Sequence, residues 1–258
     1  MRKWIKIVMV AFFVNGCAHQ QQPKVTERSI YFWKSVFKVS DDEKKKFHRL
    51  GITSIYLKYF DVAWNENLKQ PVPVAQVNII DTGFLHEVKI VPVVFITNEC
   101  LQKIQPEASD SLAENIHRLI GKISGLYNVH AREVQIDCDW TTNTKEQYFL
   151  LLQKIKELNA DKILSVTIRL HQVKYISKSG VPPADRGMLM CYNMGNLKDP
   201  DAGNSIIDVQ ESKKYLANLT GYPLPLDVVF PLFNWKVLFR NNNYAGLVQQ
   251  LPDSLLYP

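Results

Sequence analysis

Apolar and polar positions along this chain follow two rhythms. Runs rich in β-branched and aromatic residues fall at residues 29–37, 53–62, 88–97, 133–140, 163–172, 187–194 and 226–235, and each predicts a strand. Between them the apolar spacing lengthens to that of a helix. Ser40-Asp41-Asp42-Glu43 forms a capping box that opens one helix, and Gly51 closes it. Leu112, Ile116, Leu119, Ile120 and Ile123 mark a second helix over 109–127. A third, over 144–158, turns Leu150, Leu151, Ile155 and Leu158 inward, and a fourth lies near 209–219. Strands alternating with helices in short units predict an α/β fold with a parallel sheet and right-handed crossovers. At this length the expectation is a (β/α)8, TIM-barrel-like architecture. Seven strand signals are found where a closed barrel needs eight, and only 23 residues follow Trp235. The expectation is therefore a barrel incomplete at the C-terminus, or a truncated chain.

The N-terminus has a different pattern. Arg2, Lys3 and Lys6 precede an apolar run over 7–14 that is too short to span a bilayer, and Val14-Asn15-Gly16-Cys17 follows. This predicts a lipoprotein signal peptide over 1–16, lipidation at Cys17 and a polar tether over 17–23. A plain secretory signal or a short buried helix is the alternative. Residues 24–258 carry no repeat or linker and read as a single domain. The predicted location is the bacterial cell envelope, facing the periplasm or the cell surface, with a membrane anchor at Cys17.

The whole chain has 258 residues and a net charge of +6, which on its own suggests an anionic partner. Removing the three leader cations leaves 28 Lys and Arg against 25 Asp and Glu, so the body is nearly balanced. Its densest cationic run, Lys44-Lys45-Lys46, adjoins Asp41, Asp42 and Glu43, so nucleic-acid binding is not expected. Cys100, Cys138 and Cys191 form no C-x-x-C and read as core thiols, with a disulfide at Cys100 left open. No nucleotide, P-loop, zinc or nucleophile-elbow motif is present, and the six His residues lack ligand spacing, so neither cofactor nor metal is expected.

In a βα barrel, chemistry sits at the C-terminal ends of the strands. Strand alternation puts Gln135, Asp137 and Asp139 on one face and Ile136 and Cys138 on the other. The apolar pair should meet the helices, leaving two carboxylates inside, where mutual repulsion raises one pKa as acid–base catalysis requires. Against this, Asp137 could serve only as a structural hydrogen-bonding residue and Asp139 as a helix cap. In the next strand Thr167, Arg169 and His171 share the inner face. Arg169 would pair with an aspartate, and His171 would move protons or serve structure alone. Trp33, Trp140, Tyr192, Asn193, Asn234 and Trp235 gather at strand ends, where aromatic faces and amides suit a sugar ring or pack ordinary loops.

Several segments support a family resemblance: residues 91–98 (VPVVFITN), 135–141 (QIDCDWT), 167–172 (TIRLHQ), 190–193 (MCYN) with 204–206 (NSI), and 222–226 (YPLPL). Over most of the chain from Ile30 to about Arg240, they resemble an uncharacterised family of bacterial secreted lipoproteins. A more distant resemblance is to glycoside hydrolase family 18, whose fourth strand carries Asp-x-Asp-x-Glu and whose sixth carries Met-x-Tyr-Asp. Here Thr141 stands in the position of the acid Glu, and Asn193 in that of the Asp. The resemblance implies a glycosidase-like barrel acting on carbohydrate. Asp139 would be the acid or base, Asp137 its modulator, and Arg169 and His171 would orient substrate. The alternative is a catalytically inactive glycan-binding or envelope-scaffold lipoprotein.

Overall fold

The structure, a computed structural model, describes residues 26–216 and 219–249. The predicted leader, Cys17 and the tether lie outside the described residues. Seven strands run in chain order across one sheet: β1 (Arg28–Phe32), β2 (Ile52–Asn65), β3 (Lys89–Ile96), β4 (Glu133–Asp137), β5 (Ile163–Arg169), β6 (Arg186–Met190) and β7 (Leu226–Val229). Every neighbouring pair is parallel. The short strand Gln70–Val74 folds back antiparallel on the end of β2, and a separate hairpin joins Lys236–Arg240 to Asn243–Val248.

The sheet curls. Tyr56, Val91 and Val93 from β2 and β3 share one cluster with Met188 and Met190 from β6, and Tyr31 and Val229 from the two outermost strands pack against it. Among the described residues no strand joins β7 back to β1, so the architecture is an incomplete TIM-barrel-like fold, as the strand count predicted.

The outer face is covered by helices that include α1 (Asp41–Leu50), α2 (Ser109–Leu126) and α3 (Lys145–Leu158). Both bonds of the predicted Ser40/Glu43 capping box form, and Gly51 closes α1 at a φ of 64°, a left-handed turn that glycine adopts without strain. Leu112, Ile116, Ile120 and Ile123 of α2 are buried against the sheet, while Leu119 is half-buried. In α3 the inward face is Tyr148, Leu151, Leu152 and Ile155; Leu150, predicted inward, is exposed. Cys100, Cys138 and Cys191 are buried free thiols, and burial pushes Cys100 up to about 11.

Several strands end earlier than the pattern predicts, and for β4, β5 and β7 a local reason is visible. β4 stops at Asp137 because Thr141 N–H donates to Thr144 Oγ1 at 2.9 Å, turning the chain toward α3. β5 stops at Arg169, whose N–H donates to Gln172 Oε1 at 2.8 Å and opens the short helix Leu170–Lys174. β7 stops at Val229; two residues on, Pro231 has no N–H to give a ladder.

Candidate functional site

The polar residues of β4 and β5 face into the barrel, as alternation predicts. Gln135 accepts from Tyr31 Oη at 2.6 Å and donates to Ser165 Oγ at 3.2 Å, joining β1, β4 and β5 across the interior. One layer higher, Asp137 is almost fully buried and accepts a hydrogen bond from Thr167. Arg169 reaches over both aspartates: its Nη2 lies 3.4 Å from Asp137 Oδ1, and its Nε donates to Asp139 Oδ1.

Burial is the largest influence on Asp137 and pushes its carboxyl above the ordinary range. Arg169 and Thr167 pull it back down, and Asp139 and Asp61 add to the rise. Tyr192, at the rim, is also pushed up by burial, opposed by Arg169. His171 is pushed down by burial, with Asp139 opposing and Arg169 reinforcing, so its neutral form is favoured.

Asp139, Arg169, His171, Tyr192 and Asn193 line one cleft of about 440 Å³, together with Met190, Met194 and Tyr215. His171 arrives there from the first turn of the Leu170–Lys174 helix and not from the strand, which ends two residues earlier. Asn193 holds a left-handed φ of 57° at the bend after β6. Thr141 points its hydroxyl at Thr144, which donates onward to Asn98 at 2.7 Å.

The remaining predicted residues are dispersed. Trp140 is 2% exposed on the helix side of the sheet, stacked on Tyr148 at 5.1 Å, with its indole N–H on the Ser179 carbonyl; it lines no part of the cleft. The chain turns after Asp137, so alternation no longer governs where residue 140 points. Trp33 stands exposed beyond the end of β1, stacked on Tyr31 at 5.6 Å. Asn234 and Trp235 lie past β7 in a second cleft of about 470 Å³ against the 196–206 loop, where Trp235 donates to Ser205 at 3.0 Å. Phe233 bridges the two clefts, 5.6 Å from Tyr192 and 5.1 Å from Trp235.

Lys58 and Asp61 were missed by the sequence reading. Both sit in β2 and form an ion pair at 3.1 Å with little exposure. Residues three apart on a regular strand face opposite ways, but a bulge at Tyr59 shifts the register so that Lys58 opposes Val93 and Asp61 opposes Phe95. Both therefore face inward. Two charges in an otherwise apolar strand were the available signal.

This geometry can be set beside known folds. The chain aligns with the spore cortex-lytic enzyme of Bacillus cereus at a TM-score of 0.56 and 16% identity, covering 91% of this chain and 58% of that one. The fold is chitinase-like. A GH18 chitinase of Flavobacterium johnsoniae aligns at TM-score 0.51 and 12% identity over 86% of this chain and 72% of its own. A chitinase-like agglutinin of Robinia pseudoacacia aligns at 0.55 and 12%, over 86% and 77%. The chain thus spans less than two thirds of the length of the cortex-lytic enzyme. No protein-family model and no curated protein matches the sequence. At these identities the likeness is one of fold.

Proposed function

We propose that this protein is an exported envelope lipoprotein, anchored at Cys17, that binds carbohydrate in the strand-end cleft without hydrolysing it. One observation carries the reading: the cleft's exposed carboxylate, Asp139, is committed to Arg169, while the position of the family's acid holds Thr141. A glycosidase of this general type needs a carboxylic acid able to give its proton to the leaving oxygen. The Asp139 oxygen bonded to the Arg169 guanidinium is engaged there and is not free to meet a leaving oxygen. Asp137 keeps its proton more readily, yet it lies beneath Arg169 and lines no part of the cleft.

What remains suits binding. In the cleft Tyr192 offers a ring face, and Asp139, Asn193 and His171 offer hydrogen-bonding groups to hydroxyls. Titration of the whole protein with a glycan panel, with product release followed in parallel, should give binding without new reducing ends. Asp139→Asn should weaken binding. A second reading, slow hydrolysis through Asp137 and Asp139 with His171 moving protons, draws on the raised Asp137 carboxyl. It requires turnover that Asp139→Asn abolishes.

A further inference from the structure

We propose that the second cleft is a distal sugar site and that the two clefts form one groove for a neutral oligosaccharide long enough to fill both; this rests on the carbohydrate-binding reading of the first cleft. The backbone joins them. Asn193 and Met194 line the first cleft, and the loop that follows walls the second with residues between Asn196 and Ile206. Gly195 N–H donates to the Ser205 carbonyl at 3.2 Å, and a Cβ at 195 would come within 2.8 Å of Ser205 Cα, so glycine is what lets the loop close on itself. Phe233, 43% exposed, spans the gap between Tyr192 of the first cleft and Trp235 of the second.

The second cleft carries the parts of a sugar site in fixed positions. Trp235 donates its indole N–H to the hydroxyl of the buried Ser205, which sets the plane of a half-buried ring. In the loop beside it the Oδ1 atoms of Asn196, Asp199 and Asn204 each accept a backbone N–H, at 3.0, 3.0 and 2.9 Å. Those bonds fix the side chains and leave the Nδ2 groups of Asn196 and Asn204 and the second oxygen of Asp199 without a partner among the described residues. A ring of set orientation beside ready donors and an acceptor is what a pyranose needs, since its C–H face stacks and its hydroxyls both donate and accept. The volume of about 470 Å³ also falls in the ligand-pocket range of about 300–1,000 Å³.

Charge narrows the ligand. No Lys or Arg lines the second cleft, whose ionisable side chain is Asp199, and the guanidinium in the first, Arg169, is engaged by Asp137 and Asp139. A uronic-acid polymer would bring carboxylates toward Asp139 and Asp199 with no free cation to meet them. A neutral chain meets no such repulsion, and contacts spread over two clefts make its affinity depend on its length.

Calorimetric titration of the whole protein with cellobiose, cellohexaose, chitobiose, chitohexaose and the acidic hexagalacturonate tests this. In a neutral series that binds, the hexamer should bind about ten-fold or more tighter than the dimer, and hexagalacturonate should bind weaker than that hexamer. Trp235→Ala and Phe233→Ala should each lose about ten-fold on the hexamer and bring it near the dimer, while Trp235→Phe keeps most of the affinity. Asn234→Ala alters an exposed side chain and should lose about three-fold on the hexamer at unchanged melting temperature. It decides the matter if the aromatic variants fold poorly, since an unchanged hexamer affinity in Asn234→Ala then overturns the inference. A hexamer no tighter than its dimer, a hexamer affinity unchanged in folded Trp235→Ala and Phe233→Ala, or tighter binding of hexagalacturonate also overturns it and leaves the carbohydrate-binding reading standing. Absence of binding to all five probes overturns both.

Discussion

Along β4 and β5 the outward side chains Val134, Ile136, Val166 and Ile168 are fully buried and apolar, whereas the inward Gln135, Ser165 and Thr167 are just as buried and polar. The same two strands thus build two interiors with opposite chemistry. The outer one is close-packed hydrocarbon between sheet and helices, worth about 1.5–3 kcal/mol per large side chain removed from water. The inner one is a hydrogen-bonded lattice whose members hold each other in place and gain little net stability. An apolar filling would have sufficed for the fold, so the polar filling points to the mouth above it.

The contrast can be broken from the outside first. Ile136→Ala opens a cavity under α3 and should cost about 4 kcal/mol in urea unfolding at any pH between 5 and 8. Arg169→Met acts on the inner face and should cost about 3 kcal/mol at pH 7.5, because it leaves Asp137 buried without its cation. That penalty should shrink as pH falls, since Asp137 then takes a proton and needs no partner.

Asp137→Asn should have the smallest effect and the clearest pH signature. The folded-state pKa of Asp137 lies above its ordinary value of 3.8, so the folded protein binds this proton more tightly than the unfolded chain does. Its favourable contribution is complete below 3.8 and is lost as pH rises through the raised folded value. Wild type should therefore lose stability relative to Asp137→Asn on going from acidic to neutral pH, as read from paired denaturation curves. A flat difference would mean that Arg169 fully compensates the burial of Asp137.

The outer interior was the more legible of the two in the sequence. Hydrophobic periodicity located the seven parallel strands and the inward face of α2, because burial on one side imposes it. The inner face was readable where strands stay regular: Gln135, Asp137, Thr167 and Arg169 fall where alternation puts them. It failed where backbone hydrogen bonding changes course. The turn after Asp137 carried Trp140 into the helix layer, and the helix start at Leu170 delivers His171 to the cleft from a helix where alternation had it on the strand. The bulge at Tyr59 turned Asp61 inward beside Lys58. None of these three departures disturbs the local apolar count, so no periodicity could register them. The separation of Trp235 from Asp139 into different clefts depends on the path of the 230–235 segment, which has no regular structure.

The central claim is that the strand-end cleft holds a glycan that it does not cut. The most direct test incubates wild-type protein with an oligosaccharide at saturating concentration, demonstrated by titration in the same buffer, and measures reducing-end release across pH 4–8. Saturation with no release at any pH is the result expected from an Asp139 engaged by Arg169 and a Thr141 whose hydroxyl is too weak an acid to protonate a leaving oxygen. Release that rises toward acid pH and vanishes in Asp139→Asn would contradict it.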